Sequence, residues 1–225
     1  MSMKRILLWL VIVLVLIVAV LFGNLLLFER AAKNISEGVP IATSAVDKSA
    51  LLVIDIQEGT TGKLALKESY IKAADSLIRL VNRLVDSASK RNVPVIYVRS
   101  EVSNVLVNLI NNSMSTGSEG AALDKRLKVV SDFYIPKQKQ DAFSNPILDS
   151  ILIANQVNKL YITGLDAGFC VNSTIEAALK RGYAITVISD AVLSETDSLK
   201  VQVFERLKTK GVTFLNSGEF PASVK

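Results

Sequence analysis

The sequence predicts a three-layer α/β/α domain with a mainly parallel sheet, preceded by a single N-terminal transmembrane helix. Three observations carry that prediction. Short apolar runs alternate with amphipathic stretches along most of the 225 residues, the order that builds parallel sheets flanked by helices. The runs are continuous, as in strands covered on both faces. Finally, Ile6 to Phe28 contains no charge and one strongly polar side chain, Asn24.

As a helix, that apolar segment would extend about 34 Å, enough to cross the hydrocarbon core of a bilayer. A cleaved signal peptide is the competing reading. Its apolar region normally runs about 7 to 15 residues, so the length favours an uncleaved anchor over residues 1–28. Lys4 and Arg5 lie against one end, while Glu29, Arg30 and Lys33 follow the other. The near balance gives only a lean, toward a cytoplasmic N-terminus and an extracytoplasmic domain. Residues 29–47, punctuated by Gly38 and Pro40, read as a linker to a folded domain over 48–225.

Within the domain, Leu51 to Ile54 is an apolar run ending in Asp55, the first strand. From Lys67 to Lys90 apolar residues recur at Tyr70, Ile71, Ala74, Leu77, Ile78, Val81, Leu84, Val85 and Ala88, the period of an amphipathic helix. Val95 to Val98 is the second strand. A short apolar stretch, Val105 to Ile110, precedes a Ser/Gly/Asn-rich segment, 111–120, which reads as a mobile loop over a site or a plain surface excursion. Val129 to Ile135 is a weaker strand leading into Lys137. Asn145-Pro146 opens a helix, because Asn caps well and Pro suits the first helical position. Leu160 to Thr163 is a strand, followed by a helix closed by Gly182. Ala184 to Ile188, a helix over about Asp197 to Lys208, and Val212 to Leu215 complete the pattern.

Charge and rare residues narrow the chemistry. The net charge is +5, and the segment before Thr43 supplies four basic and two acidic residues, leaving about +3 elsewhere. That is too mild and unclustered for nucleic acid. The chain has no histidine, which removes the commonest general base and metal ligand. A single cysteine, Cys170, excludes an internal disulfide and leaves the compartment open.

Ligand sites in such sheets lie beyond the carboxyl ends of the strands, and Asp55, Lys137 and Cys170 all follow predicted strands. Cys170 falls at or near the first turn of its helix, where free N–H groups and the macrodipole are expected to stabilise a thiolate. A carboxylate near it can act as general base in place of histidine. A nearby lysine keeps the carboxylate charged and orients both groups. Backbone N–H groups of the turn can hold an oxyanion. Such a set suits a hydrolase that forms a thioester and releases it to water.

These segments resemble the isochorismatase-like cysteine hydrolases, a family that includes nicotinamidases and N-carbamoyl amide hydrolases. The resemblance covers about residues 48 to 218. ALLVIDIQ (Ala50 to Gln57) looks like the strand ending in the catalytic base, mapping it to Asp55. KQKQDAF (Lys137 to Phe143) looks like the segment with the catalytic lysine, Lys137, and GLDAGFCVNSTIEAA (Gly164 to Ala178) like the nucleophile motif, with Cys170. SDAVLSE (Ser189 to Glu195) resembles a further family segment. The resemblance also implies a non-proline cis peptide joining Leu165 and Asp166, and an oxyanion hole from the N–H groups of Asp166 and Cys170.

It implies no cofactor here. Nicotinamidases bind a metal through histidines and an aspartate, and without histidine no metal site is expected. Retention of Cys170 favours hydrolysis of an amide, ureido or carbamoyl C–N bond in a small molecule. A homo-oligomer is compatible with the resemblance. Two departures touch the pocket: Glu58-Gly59 stands where an acidic residue and Phe are common, and Asp141 stands where Ser is common.

Plainer readings compete. A lone cysteine is more often inert packing, Asp55 could merely end a strand, and Lys137 could be one of many solvated lysines, with Lys139 two residues on. The rival function is a catalytically idle scaffold for partner binding at the membrane. A redox-sensing thiol is a third reading, weakened by the lack of a resolving partner.

Overall fold

In the computed structural model, residues 2–41 and 47–223 are described; residue 1 of the expected anchor, 42–46 of the expected linker and 224–225 of the expected domain lie outside the described residues. The elements run α1 (Met3–Ala32), β1 (Ser49–Ile54), α2 (Glu68–Lys90), β2 (Val95–Ser100), α3 (Val105–Ile110), β3 (Tyr134–Lys137), α4 (Pro146–Ala154), β4 (Lys159–Gly164), α5 (Cys170–Lys180), β5 (Ala184–Val192), α6 (Asp197–Lys208), β6 (Thr213–Leu215) and α7 (Phe220–Ser223). Among the described residues the strands form one six-stranded sheet in the order β3-β2-β1-β4-β5-β6, with every pair parallel.

All six residues of β1 are buried, and the pleat sends them to opposite sides. Leu51 and Val53 join Leu77, Val81 and Leu84 of α2 in one apolar layer. Ala50, Leu52 and Ile54 join Leu148 of α4, Ile175 of α5 and Phe204 of α6 in the other. This is why the strand reads as an unbroken apolar run, and it makes three layers.

Strand order reverses between β1 and β4, the switch point at which open α/β sheets bind ligands. There Gly164, with φ +115°, lies so close to β1 that a Cβ would collide with the Ile54 carbonyl. The first strand can therefore deliver Asp55, and the fourth can turn toward Cys170, at neighbouring points.

Two expectations shift. The strand expected over Val129 to Ile135 begins only at Tyr134, so Lys137 is its last residue and does not follow it. Upstream, the Tyr97 hydroxyl donates to the Lys128 carbonyl at 2.9 Å and accepts from the Val130 N–H at 3.1 Å, which holds that segment by a side chain and not by a strand ladder. The segment after α1, expected as a linker, lies against the domain where it is described. Ile35 and Ile41 pack on the core, and Ile41 N–H donates to the Arg181 carbonyl at 2.8 Å. Buried Arg181 clasps Asp149 at 2.9 Å and donates to the carbonyls of Ser36 at 3.2 Å and Glu37 at 3.1 Å.

Candidate active site

β1 ends by placing Asp55 at φ +55°, a left-handed conformation that Asp tolerates better than most residues. Its N–H donates to the Val98 carbonyl at 2.8 Å, and its carbonyl accepts from Thr60 Oγ1 at 2.6 Å, so the strained turn is held at both ends. β3 ends with Lys137, fully buried. α5 begins with Cys170, which is partly buried.

The three side chains meet. Lys137 Nζ donates to Asp55 Oδ2 at 3.0 Å, to Ser100 Oγ at 2.6 Å and to Cys170 Sγ at 3.2 Å. An ammonium has three protons, and each has a partner. Burial opposes the charge on Lys137, but the Asp55 carboxylate and the Cys170 sulfur hold its pKa above the ordinary lysine range. Lys139, the alternative lysine, is exposed.

Ser100 has no place in the sequence reading, yet it closes the group. Its Oγ donates to Asp55 Oδ2 at 3.1 Å. Gln57 fixes its backbone on both sides: Oε1 accepts from Ser100 N–H at 2.8 Å, and Nε2 donates to the Ser100 carbonyl at 2.9 Å and to Ala121 at 2.8 Å. The available signal was positional, since Ser100 ends the strand beside β1.

The turn from β4 into α5 contains a cis peptide between Leu165 and Asp166. Asp166 is anchored by its carboxylate, which accepts from the Tyr70 hydroxyl at 2.8 Å and from Gly168 N–H at 2.6 Å. Burial first, then Asp166, push the Tyr70 hydroxyl well above its ordinary range, keeping it a donor. Among the described residues, the N–H groups of Asp166 and Cys170 have no acceptor.

One electrostatic expectation is overturned. The helix N-terminus does not leave Cys170 as an acidic thiol: burial, and next the Asp55 carboxylate, push it up to about 12, against the pull of Lys137. A thiol raised in this way calls for a base. Asp55 stands beside it with Oδ1 buried and without a hydrogen-bond partner among the described residues.

The two departures noted at the pocket are structural where they stand. Glu58 is buried and accepts from the N–H groups of Lys63 and Lys125, each at 3.0 Å. Asp141 is buried, accepting from Phe143 N–H at 2.7 Å and, with its other oxygen, from Ser36 N–H at 2.8 Å. A histidine-based metal site of the nicotinamidase kind does not fit this chain, which supplies no histidine and, among the described residues, no group of three or more Cys, Asp or Glu able to hold an ion.

The model of the isochorismatase domain matches residues 49–219. The chain belongs to the isochorismatase family. Among curated relatives of this family member, ureidoacrylate amidohydrolase RutB of Methylorubrum extorquens is 26% identical over 68% of the chain and 72% of its own length. A "probable inactive nicotinamidase" of Arabidopsis thaliana is 30% identical over 73% of the chain and 90% of its own. The crystal structure of N-carbamoylsarcosine amidase from Thermoplasma acidophilum, 28% identical, superposes with a TM-score of 0.64 over 76% of the chain and 96% of that one. The family is typically hydrolytic, acting on amide C–N bonds.

Proposed function

We propose that this family member is a membrane-anchored cysteine hydrolase that cleaves an amide, ureido or carbamoyl C–N bond of a small molecule through a thioester. The observation that carries it is the single ammonium of Lys137, shared between Asp55 Oδ2 at 3.0 Å and Cys170 Sγ at 3.2 Å. Asp55 accepts the Cys170 proton as the sulfur attacks the carbonyl carbon. The N–H groups of Asp166 and Cys170 hold the resulting oxyanion. Asp55 then returns the proton to the departing nitrogen, the C–N bond breaks, and the acyl group stays on sulfur. Water, deprotonated by Asp55, attacks the thioester and releases the acid, and the sulfur regains its proton. Lys137 remains protonated throughout and orients both partners.

The anchor is α1, whose 30 residues make a helix long and apolar enough to cross a membrane. On this reading residues 1–28 are the membrane segment and 48–225 the hydrolase domain, with that domain on the extracytoplasmic side. A catalytically idle scaffold is the second reading, favoured by the relative named a "probable inactive nicotinamidase". The test is turnover by the full-length protein in detergent against a panel of small amides, ureido and carbamoyl compounds. Hydrolysis by the native chain, abolished in Cys170→Ala, is expected. No hydrolysis of any compound supports the scaffold, and unchanged hydrolysis in Cys170→Ala overturns the mechanism.

A further inference from the structure

α1 does not stand clear of the domain along its whole length. Met3 to Val20 are exposed, whereas Leu21, Asn24, Leu25, Phe28 and Ala32 are partly covered. Their three- and four-residue spacing places them on one helix face. α3 packs against α1, and Gln140 N–H donates to the Ala32 carbonyl at 2.9 Å, closing the contact at its lower end. Most of the covered stripe therefore belongs to the apolar segment itself, its last two turns or about 10 Å of rise.

α3 is apolar at every position but Asn108, and none of its residues is fully buried. Asn104 caps it, accepting from Leu106 N–H at 3.0 Å and Val107 N–H at 3.1 Å. Asn108 turns inward and donates to the Val102 carbonyl at 2.9 Å. Three of the apolar side chains turn outward: Val105 is 71% exposed, Leu109 73% and Ile110 59%, while Leu106 and Val107 are half-buried. An exposed apolar face beside a long apolar helix is the pattern of a surface that meets hydrocarbon.

We infer that α3 docks into the acyl–headgroup boundary of the lipid bilayer beside α1. The inference rests on α1 being a membrane anchor. If Ile6 to Phe28 lie in the bilayer, an element packed on the last turns of that segment lies at the depth of roughly 5–10 Å that interfacial helices occupy. α3 contains no Lys or Arg, so its docking depends on apolar burial and needs no anionic lipid. α3 follows β2 closely, after Ser100, and so lies beyond the carboxyl ends of the strands. Docking there holds the sheet edge carrying Asp55, Lys137 and Cys170 toward the membrane surface.

The test uses the full chain in phosphatidylcholine vesicles, with Cys170→Ser removing the native thiol and one environment-sensitive nitrobenzoxadiazole label at a time. Labels are placed through Leu109→Cys or Val105→Cys on α3, Leu16→Cys in the middle of α1, and Lys90→Cys at the end of α2, near the amino edge of the sheet. The α3 labels are expected to emit blue-shifted light and to lose more than half of it to doxyl-labelled phosphatidylcholine, as should the α1 label, while the α2 label stays aqueous. If Leu16 is quenched but both α3 positions remain aqueous, the docking fails and the anchor stands. If the α3 labels are blue-shifted but unquenched by doxyl lipid, protein such as a second copy covers them, and the proposal is overturned. If Leu16 is also aqueous, the anchor reading fails and the docking with it.

Discussion

The Lys137 ammonium lies 3.2 Å from the Cys170 sulfur, while the same nitrogen is 3.0 Å from Asp55. One buried cation thus serves both the acid and the thiol, and the two neighbours act on the thiol in opposite directions. Asp55 makes it harder to ionise, and Lys137 makes it easier. Asp55→Asn is therefore expected to speed iodoacetamide alkylation of Cys170 at pH 8 to 9 while abolishing turnover. Lys137→Met should slow alkylation and abolish turnover as well. Labelling rates followed by mass spectrometry check this; slower alkylation in Asp55→Asn would mean that Asp55 already takes the proton in the resting protein.

The raised thiol also predicts a pH dependence of stability. Below pH 9 the folded and unfolded chains both hold the proton. Between the ordinary value of 9.0 and about 12 only the unfolded chain releases it, so rising pH favours unfolding. The contribution is fully present below pH 9 and lost across that window. Urea midpoints of the native chain should fall more steeply over it than those of Cys170→Ala. Parallel curves would contradict the assigned environment of the sulfur.

Ser100 is expected to matter through its hydroxyl alone. Ser100→Ala leaves the Asp55–Lys137 pair with one partner fewer, and a hydrogen bond to a charged group is worth about 1.5 to 3 kcal/mol. A fall in kcat of about tenfold or more is predicted on that scale, with KM little changed. Ser100→Thr, which keeps the hydroxyl, should restore most of the rate; equal losses in both variants would point to packing instead.

The segment beyond α1 behaves as part of the domain. Asp141 accepts from Ser36 N–H at 2.8 Å, and Arg181 holds the Ser36 and Glu37 carbonyls. A chain shortened to begin at Asp47 leaves the Asp141 carboxylate short of a donor and the Arg181 guanidinium short of acceptors, at a cost of about 1–3 kcal/mol for each orphaned group. Its urea midpoint should lie clearly below that of a chain beginning at Asn34. Equal midpoints would show the contact to be energetically idle.

Much of this arrangement was legible in the sequence, for definable reasons. The apolar run at Leu51 to Ile54 marks a strand buried on both faces, and its end fixes where Asp55 stands. The helix spacing over Glu68–Lys90 is equally plain, because one face alone meets the core. Ser100 was hidden because its role comes from neighbouring strands in space, which no local pattern reports. The thiol environment is hidden for a related reason. A helix N-terminus is visible in sequence, but burial and an approaching carboxylate depend on the assembled sheet. Arg181 follows a helix end and carries no local signal of burial, yet it is buried and donates to Ser36, a residue more than a hundred positions away.

A thioester mechanism requires that Cys170 become acylated during turnover. Acid quenching of the full-length protein within the first turnovers of any amide it hydrolyses, followed by intact-mass and peptide mapping, measures this directly. A mass increase equal to the acyl group, confined to the peptide containing Cys170 and absent from Cys170→Ala, is predicted. Sustained hydrolysis by the Cys170→Ala variant, with no adduct on the native chain, would contradict it.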